Sequence, residues 1–195
     1  MSKKIYIMLS RSTTLASRFI YLLTKKKYTH SSISIHDDLI EMYSFCRIYP
    51  RLALPAGYSK ESIYKGFYKI HSQIPCCLYE LEVTDNQYDM VKEALNRLYE
   101  NRHLFSYDLM GTLDFISKKE RRSFNKRYCS WFIAELLGIL EIVNFDKPYS
   151  LIEPIDFASV PGINQVYEGN IEGLRNHLKE CYNVQGKEGL YEKNR

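Results

Sequence analysis

The segment Arg127-Tyr128-Cys129-Ser130-Trp131-Phe132-Ile133-Ala134-Glu135-Leu136-Leu137-Gly138-Ile139-Leu140 decides how the rest of the chain is read. From Trp131 to Val143 only Glu135, Gly138 and Glu141 interrupt residues that belong in a core, so a helix here is buried nearly all round. The run is too short to cross a bilayer and carries an internal glutamate, which leaves a buried central helix. Cys129 then stands at its N-terminus, where unpaired backbone N–H groups and the positive end of the helix dipole favour a thiolate. Lys126 and Arg127 add positive charge beside it. An activated nucleophile needs that setting, and it also needs a base from elsewhere in the chain. The plainer reading is a small buried hydrophobe, the commonest use of a free cysteine.

Working outward, Thr84 or Asp85 caps a helix over about Gln87–Asn101, with Met90, Val91, Ala94, Leu95 and Leu98 on its buried face. Lys4 to Leu9 reads as a strand and Thr13 to Leu23 as a helix. Tyr28 to Ile35 reads as a strand, Asp37-Asp38 as a turn and Leu39 to Phe45 as the returning strand of a hairpin. Arg47 to Tyr68 is rich in Tyr, Gly, Pro and Ser and is expected to be a long irregular excursion with a short strand at its end. Cys76 to Val83 alternates as a further strand. Tyr107 to Ile116 suits a helical piece, Pro148 to Pro161 a proline-punctuated connection, and Ile171 to Cys181 a last helix. The order predicts an α+β fold with an antiparallel sheet packed on the buried cysteine helix, rather than a regular βαβ alternation. One domain over residues 1–182 is expected, followed by a polar tail over 183–195.

The 195 residues and 45% hydrophobic content suffice for a core without staples and argue against disorder. The net charge of +4 is mild, and the short basic runs are those of solvated loops. Nucleic acid is not demanded, and a reading through Lys118 to Arg127 is the weakest of three. Five cysteines without C-x-x-C spacing argue against a zinc site or a disulfide scaffold, so neither metal nor cofactor is expected and a reducing compartment is. The apolar run Ile5 to Leu9 is too short for a secretory signal, which points to the cytoplasm.

Histidine is the usual partner of a cysteine nucleophile. His36, His71, His103 and His177 read as surface residues, and His30 opens a strand whose other face carries Ile33 and Ile35. Pattern alone does not single it out as a base. A resemblance does: Thr24 followed by Tyr28-Thr29-His30-Ser31-Ser32-Ile33 resembles the T-x-x-x-(Y/F)-(T/S)-H-(small)-(small)-I segment of the circularly permuted papain-fold amidases, the YiiX and YaeF relatives of the NlpC superfamily. Tyr128 to Leu137 is similar to that family's C-S-(E/Q)-F-(V/I)-A-E-(V/L)-L helix, and Glu153-Pro154-Ile155-Asp156-Phe157 to its T-P-x-D-(L/F) segment. Histidine precedes cysteine, which is the permuted order.

The resemblance implies a papain-like fold, Cys129 as nucleophile, His30 as general base, and an acid matched by Glu41 in Leu39-Ile40-Glu41. Geometry strains that last assignment. With a two-residue turn at Asp37-Asp38, Glu41 shares the face of His30 but lies opposite Ser34, roughly 14 Å along the strand. Tyr43 and Ser44 stand as replacements. Trp131 occupies a position where the family often has a polar residue, which bears on substrate choice. The expectation is a cysteine amidase or peptidase acting through an acyl-enzyme on a peptide, a peptidoglycan fragment or an acyl group. The 17 tyrosines, several within Arg47 to Tyr68, suit the lining of a cleft. The alternative is a non-catalytic binding module that keeps the fold.

Overall fold

The computed structural model describes residues 3–11, 27–52, 54–108 and 120–184. Its centre is a six-stranded antiparallel sheet built from β1 (Lys3–Ser10), β2 (His30–Ser34), β3 (Met42–Arg47), β4 (Ala56–Glu61), β5 (Pro75–Val83) and β6 (Ile163–Asn170). The strands lie in the order β4-β3-β2-β1-β5-β6. Together with its helices this gives the α+β plan that the element order predicts.

Strand pleating divides the side chains between two cores. Ile5, Ile7, Leu9, Ile33, Tyr43, Phe45, Tyr58, Tyr79 and Leu81 share one face. Helices α1 (Asp85–Glu100) and α2 (Cys129–Ile139) cover it, contributing Val91, Leu95, Phe132, Ile133, Ala134 and Leu137. Met8, Met42, Cys76 and Leu78 point to the other face, where they meet Phe67 and Tyr68 of the short helix Gly66–Ile70 and Ile171, Leu174 and Leu178 of α3 (Ile171–Val184).

The cap of α1 forms as its sequence requires. Thr84 Oγ1 accepts from Gln87 N at 3.2 Å while Gln87 Oε1 accepts from Thr84 N at 3.0 Å, a reciprocal capping box. Helix α2 is buried at Cys129, Ser130, Trp131, Phe132, Ile133, Ala134, Leu136 and Leu137, in keeping with its apolar run. Phe132 meets Tyr58 edge-on with ring centroids 5.1 Å apart and Phe45 at 5.7 Å, so the helix is keyed into β3 and β4. At its start Arg127 grips Glu135 through Nε and Nη2, at 2.6 and 3.0 Å, and lies 4.5 Å from the Trp131 ring centre.

Three expectations change. The stretch Arg47–Tyr68 holds a full strand, β4, and a short helix rather than mostly irregular chain. The strand β6 follows the 148–161 connection; its alternation is hidden because, as an edge strand, it is polar along most of its length and carries no fully buried residue. Tyr107 pairs with Arg127 in a small parallel ladder, Ser106–Tyr107 with Lys126–Arg127, instead of opening a helix. Residues 109–116 of that expected helix, the helix expected over 13–23 and residues 185–195 of the expected tail lie outside the described residues, while Asn183 and Val184, expected in the tail, continue α3. No helix among the described residues is long and apolar enough to cross a membrane.

Candidate active site

Cys129 is the first residue of α2, preceded by Tyr128 in extended conformation as N-cap. The first intrahelical bond runs from Phe132 N to Tyr128 O at 3.0 Å, so the amides of Cys129, Ser130 and Trp131 have no acceptor within the helix. The helix start is anchored from below: Ser130 Oγ donates to Ile152 O at 2.6 Å, and the Tyr128 hydroxyl donates to Ser150 O. Cys129 is 4% exposed.

His30 is the first residue of β2, opposite Ser10 of β1. Its Nε2 lies 2.8 Å from Glu61 Oε2, and both side chains are nearly enclosed, 12% and 10% exposed. Ser32, two residues on and therefore on the same face, donates from Oγ to the same Glu61 oxygen at 2.6 Å. The ring and the Cys129 sulfur also interact, each shifting the titration of the other. Cys129, His30 and Glu61 thus form one electrostatically linked group, joining α2, β2 and β4.

Their electrostatics are mutually dependent. Burial works against a charged imidazole, but the Glu61 carboxylate and the Cys129 sulfur outweigh it and raise the His30 pKa to about 10. Burial also works against a thiolate, yet His30, with the backbone N–H of Ser31, lowers the Cys129 pKa. For Glu61 burial is overcome by His30, Ser32 and Arg47, and its pKa is lowered as well. All three shifts run toward a thiolate–imidazolium pair backed by a carboxylate. Cys46 adjoins the site from β3; burial, then Glu61 and Cys129, push its thiol well above the ordinary range, so it stays protonated.

Glu41, the acid implied by the resemblance, stands elsewhere. β2 and β3 pair with Ile33 opposite Tyr43, which gives Glu41 the same parity as Tyr43 and sends it to the α1 face, away from His30. There it binds Lys60 Nζ at 2.7 Å and accepts from the Tyr43 hydroxyl. Tyr43 is occupied with Glu41 and Asn96, and the Ser44 hydroxyl donates to Ser31 O at 2.7 Å. None of these three hydrogen-bonds to the imidazole. Glu61 lies within the stretch Arg47 to Tyr68 expected to be irregular, at the end of β4; the alternation Tyr58, Lys60 against Ser59, Glu61 is the signal that marks it as a strand residue.

Among the described residues no group of three or more His, Cys, Asp or Glu side chains is arranged to hold a metal ion. All five cysteines are free thiols. No family model matches the chain, and no curated protein is significantly similar to it.

Proposed function

We propose that this protein is a cysteine-dependent hydrolase of the amidase or peptidase type, with a permuted papain-like arrangement in which the histidine strand precedes the nucleophile helix. The observation that carries the reading is that His30, whose Nε2 lies 2.8 Å from the Glu61 carboxylate, also interacts with the Cys129 sulfur at the helix start. With Nε2 engaged by Glu61, Nδ1 is the ring atom left to serve the sulfur, and Glu61 fixes the ring orientation as the third member of a triad does.

In this mechanism the Cys129 proton rests on His30 before substrate arrives. The thiolate attacks the carbonyl carbon, and the negative charge that develops on oxygen is met by the unpaired Cys129 amide. His30 returns the proton to the leaving amine or alkoxide, which departs and leaves a thioester on Cys129. His30 then takes a proton from water, whose oxygen attacks the thioester; release of the acid restores the thiolate–imidazolium pair. Peptides, peptidoglycan fragments and acyl esters or thioesters are all carbonyl substrates for this sequence.

A non-catalytic binding module on the same fold is the rival, and the burial of Cys129 favours it. Labelling with an activated acyl probe separates the two. The hydrolase forms an adduct at Cys129 that is lost in Cys129→Ala and slowed in His30→Gln, both checked for folding by circular dichroism. Equal labelling of wild type and Cys129→Ala contradicts the hydrolase reading.

A further inference from the structure

Six of the ten large hydrophobic residues that stand exposed among the described residues crowd into three short segments: Ile48, Tyr49, Leu52 and Leu54 between β3 and β4, Leu104 in the turn Arg102–Leu104, and Phe124 in the approach to α2. Each is about half exposed or more, and Phe124 is 97% exposed. The segments are neighbours. Ile48 N donates to Pro55 O at 3.0 Å, extending the β3–β4 ladder from Arg47 and Ala56. A side chain at Gly57 would meet Phe105 O at 3.1 Å, so the chain just after Leu104 crosses directly over β4. Ser106 N in turn donates to Asn125 O at 3.0 Å, which ties the Phe124 segment to the same place. That segment runs through Lys126 and Arg127 straight into Cys129.

The charge of these segments is one-sided. Within the three segments themselves the charged residues are Arg51, Arg102, Arg121, Arg122 and Lys126 against one acid, Glu120; Asp108 and Glu135 lie beside them. Arg121 pairs with Asp108 at 2.7 Å and Arg122 with Glu120 at 3.3 Å, while Arg51, Arg102 and Lys126 are exposed cations. Scattered single hydrophobics are ordinary on a protein surface, but apolar tips gathered among cations are not. Apolar side chains that enter the acyl boundary, ringed by cations at the height of phosphate groups, match an anionic bilayer on both counts.

We infer that this end of the molecule docks on an anionic lipid surface through Ile48, Tyr49, Leu52, Leu54, Leu104 and Phe124, and brings the Cys129 site to the head-group layer. The docking stands on exposure and charge. Its consequence, that the substrate is an acyl ester or amide presented at a membrane, rests on the hydrolase reading.

The test is flotation of the full chain with vesicles of phosphatidylcholine alone and of phosphatidylcholine mixed with phosphatidylglycerol, at low and high salt. The wild type is expected to float with the mixed vesicles, less with the neutral ones, and less as salt rises. Leu52→Ser combined with Phe124→Ser weakens binding by about tenfold or more, and Arg51→Gln or Lys126→Gln by roughly fivefold each. These positions are exposed, so thermal melts should match the wild type. Equal binding to both vesicle types, or variants that bind as the wild type does, overturns the inference. So does a wild-type dimer that the Leu52/Phe124 variant disperses while vesicles are ignored, which assigns the surface to a second copy. Cys129→Ala retains flotation, so loss of docking and loss of probe labelling are separate results.

Discussion

His30 and Glu61 meet at 2.8 Å although β3 runs between their strands, so the carboxylate reaches the imidazole across the sheet rather than from a neighbouring turn. Replacing it tests the electrostatics directly. In Glu61→Gln the fold persists, because the amide still hydrogen-bonds to Ser32 and His30, but the charge that holds the imidazolium is gone. The His30 titration followed by NMR is expected to move down from about 10 by roughly 1 to 3 pH units. An unchanged His30 titration contradicts the coupling.

Glu41→Gln provides the contrast. Glu41 is spent on Lys60 and Tyr43 on the opposite face, so its loss should leave Cys129 labelling at the wild-type rate. The half-exposed ion pair contributes about 0–1 kcal/mol, and the melting temperature should shift little. Slowed labelling in Glu41→Gln, with Glu61→Gln unaffected, reverses the assignment.

The pH dependence of stability follows from the same three groups. A raised His30 pKa contributes stability that is complete below the ordinary value of 6.5 and is lost as pH rises through about 10. A lowered Cys129 pKa contributes stability that is present above 9.0 and is lost as pH falls through the folded value. At pH values above both 6.5 and the folded Cys129 value, and below 9.0, folding moves one proton from sulfur to imidazole with none taken up or released, so the pair's contribution is flat there. It declines on both sides. In Cys129→Ala the flat region should vanish, and stability from His30 should fall steadily from 6.5 upward, as denaturation midpoints across pH will show. A flat region of equal width in the alanine protein contradicts the pairing.

Phe132 holds α2 on the sheet through Tyr58 and Phe45. Truncation to alanine removes a buried ring and is expected to cost about 3–5 kcal/mol in chemical denaturation. A loss below 1 kcal/mol would mean that the helix is seated by other contacts.

The local features of this fold are legible in the sequence, and the non-local ones are less so. Thr84 with Gln87 marks the start of α1, and the apolar run after Cys129 marks a helix buried on all sides, because both signals lie within a few residues of chain. The position of Glu61 depends on how β4 pairs with β3 and how β3 pairs with β2. A shift of one residue in that second pairing exchanges the two faces, and this is what separates Glu41 from His30. The turn chemistry at Asp37-Asp38 does not specify that shift. The connection instead runs from Ile35 to Glu41, with Leu39 at a positive φ of 52° and its side chain buried in the second core. The edge strand β6 is hidden for a different reason, since its exposed, polar residues carry little of the hydrophobic signal by which strands are read.

The most direct test of the account is the rate of Cys129 alkylation by iodoacetamide measured across pH in wild type and in His30→Gln, with Cys129→Ala as the blank. A thiolate held by an imidazolium predicts that the wild-type rate rises at a pH below the ordinary thiol range, and that His30→Gln moves the rise to higher pH. Superimposable profiles for the two proteins, or a wild-type rise only at 9.0 and above, would contradict it.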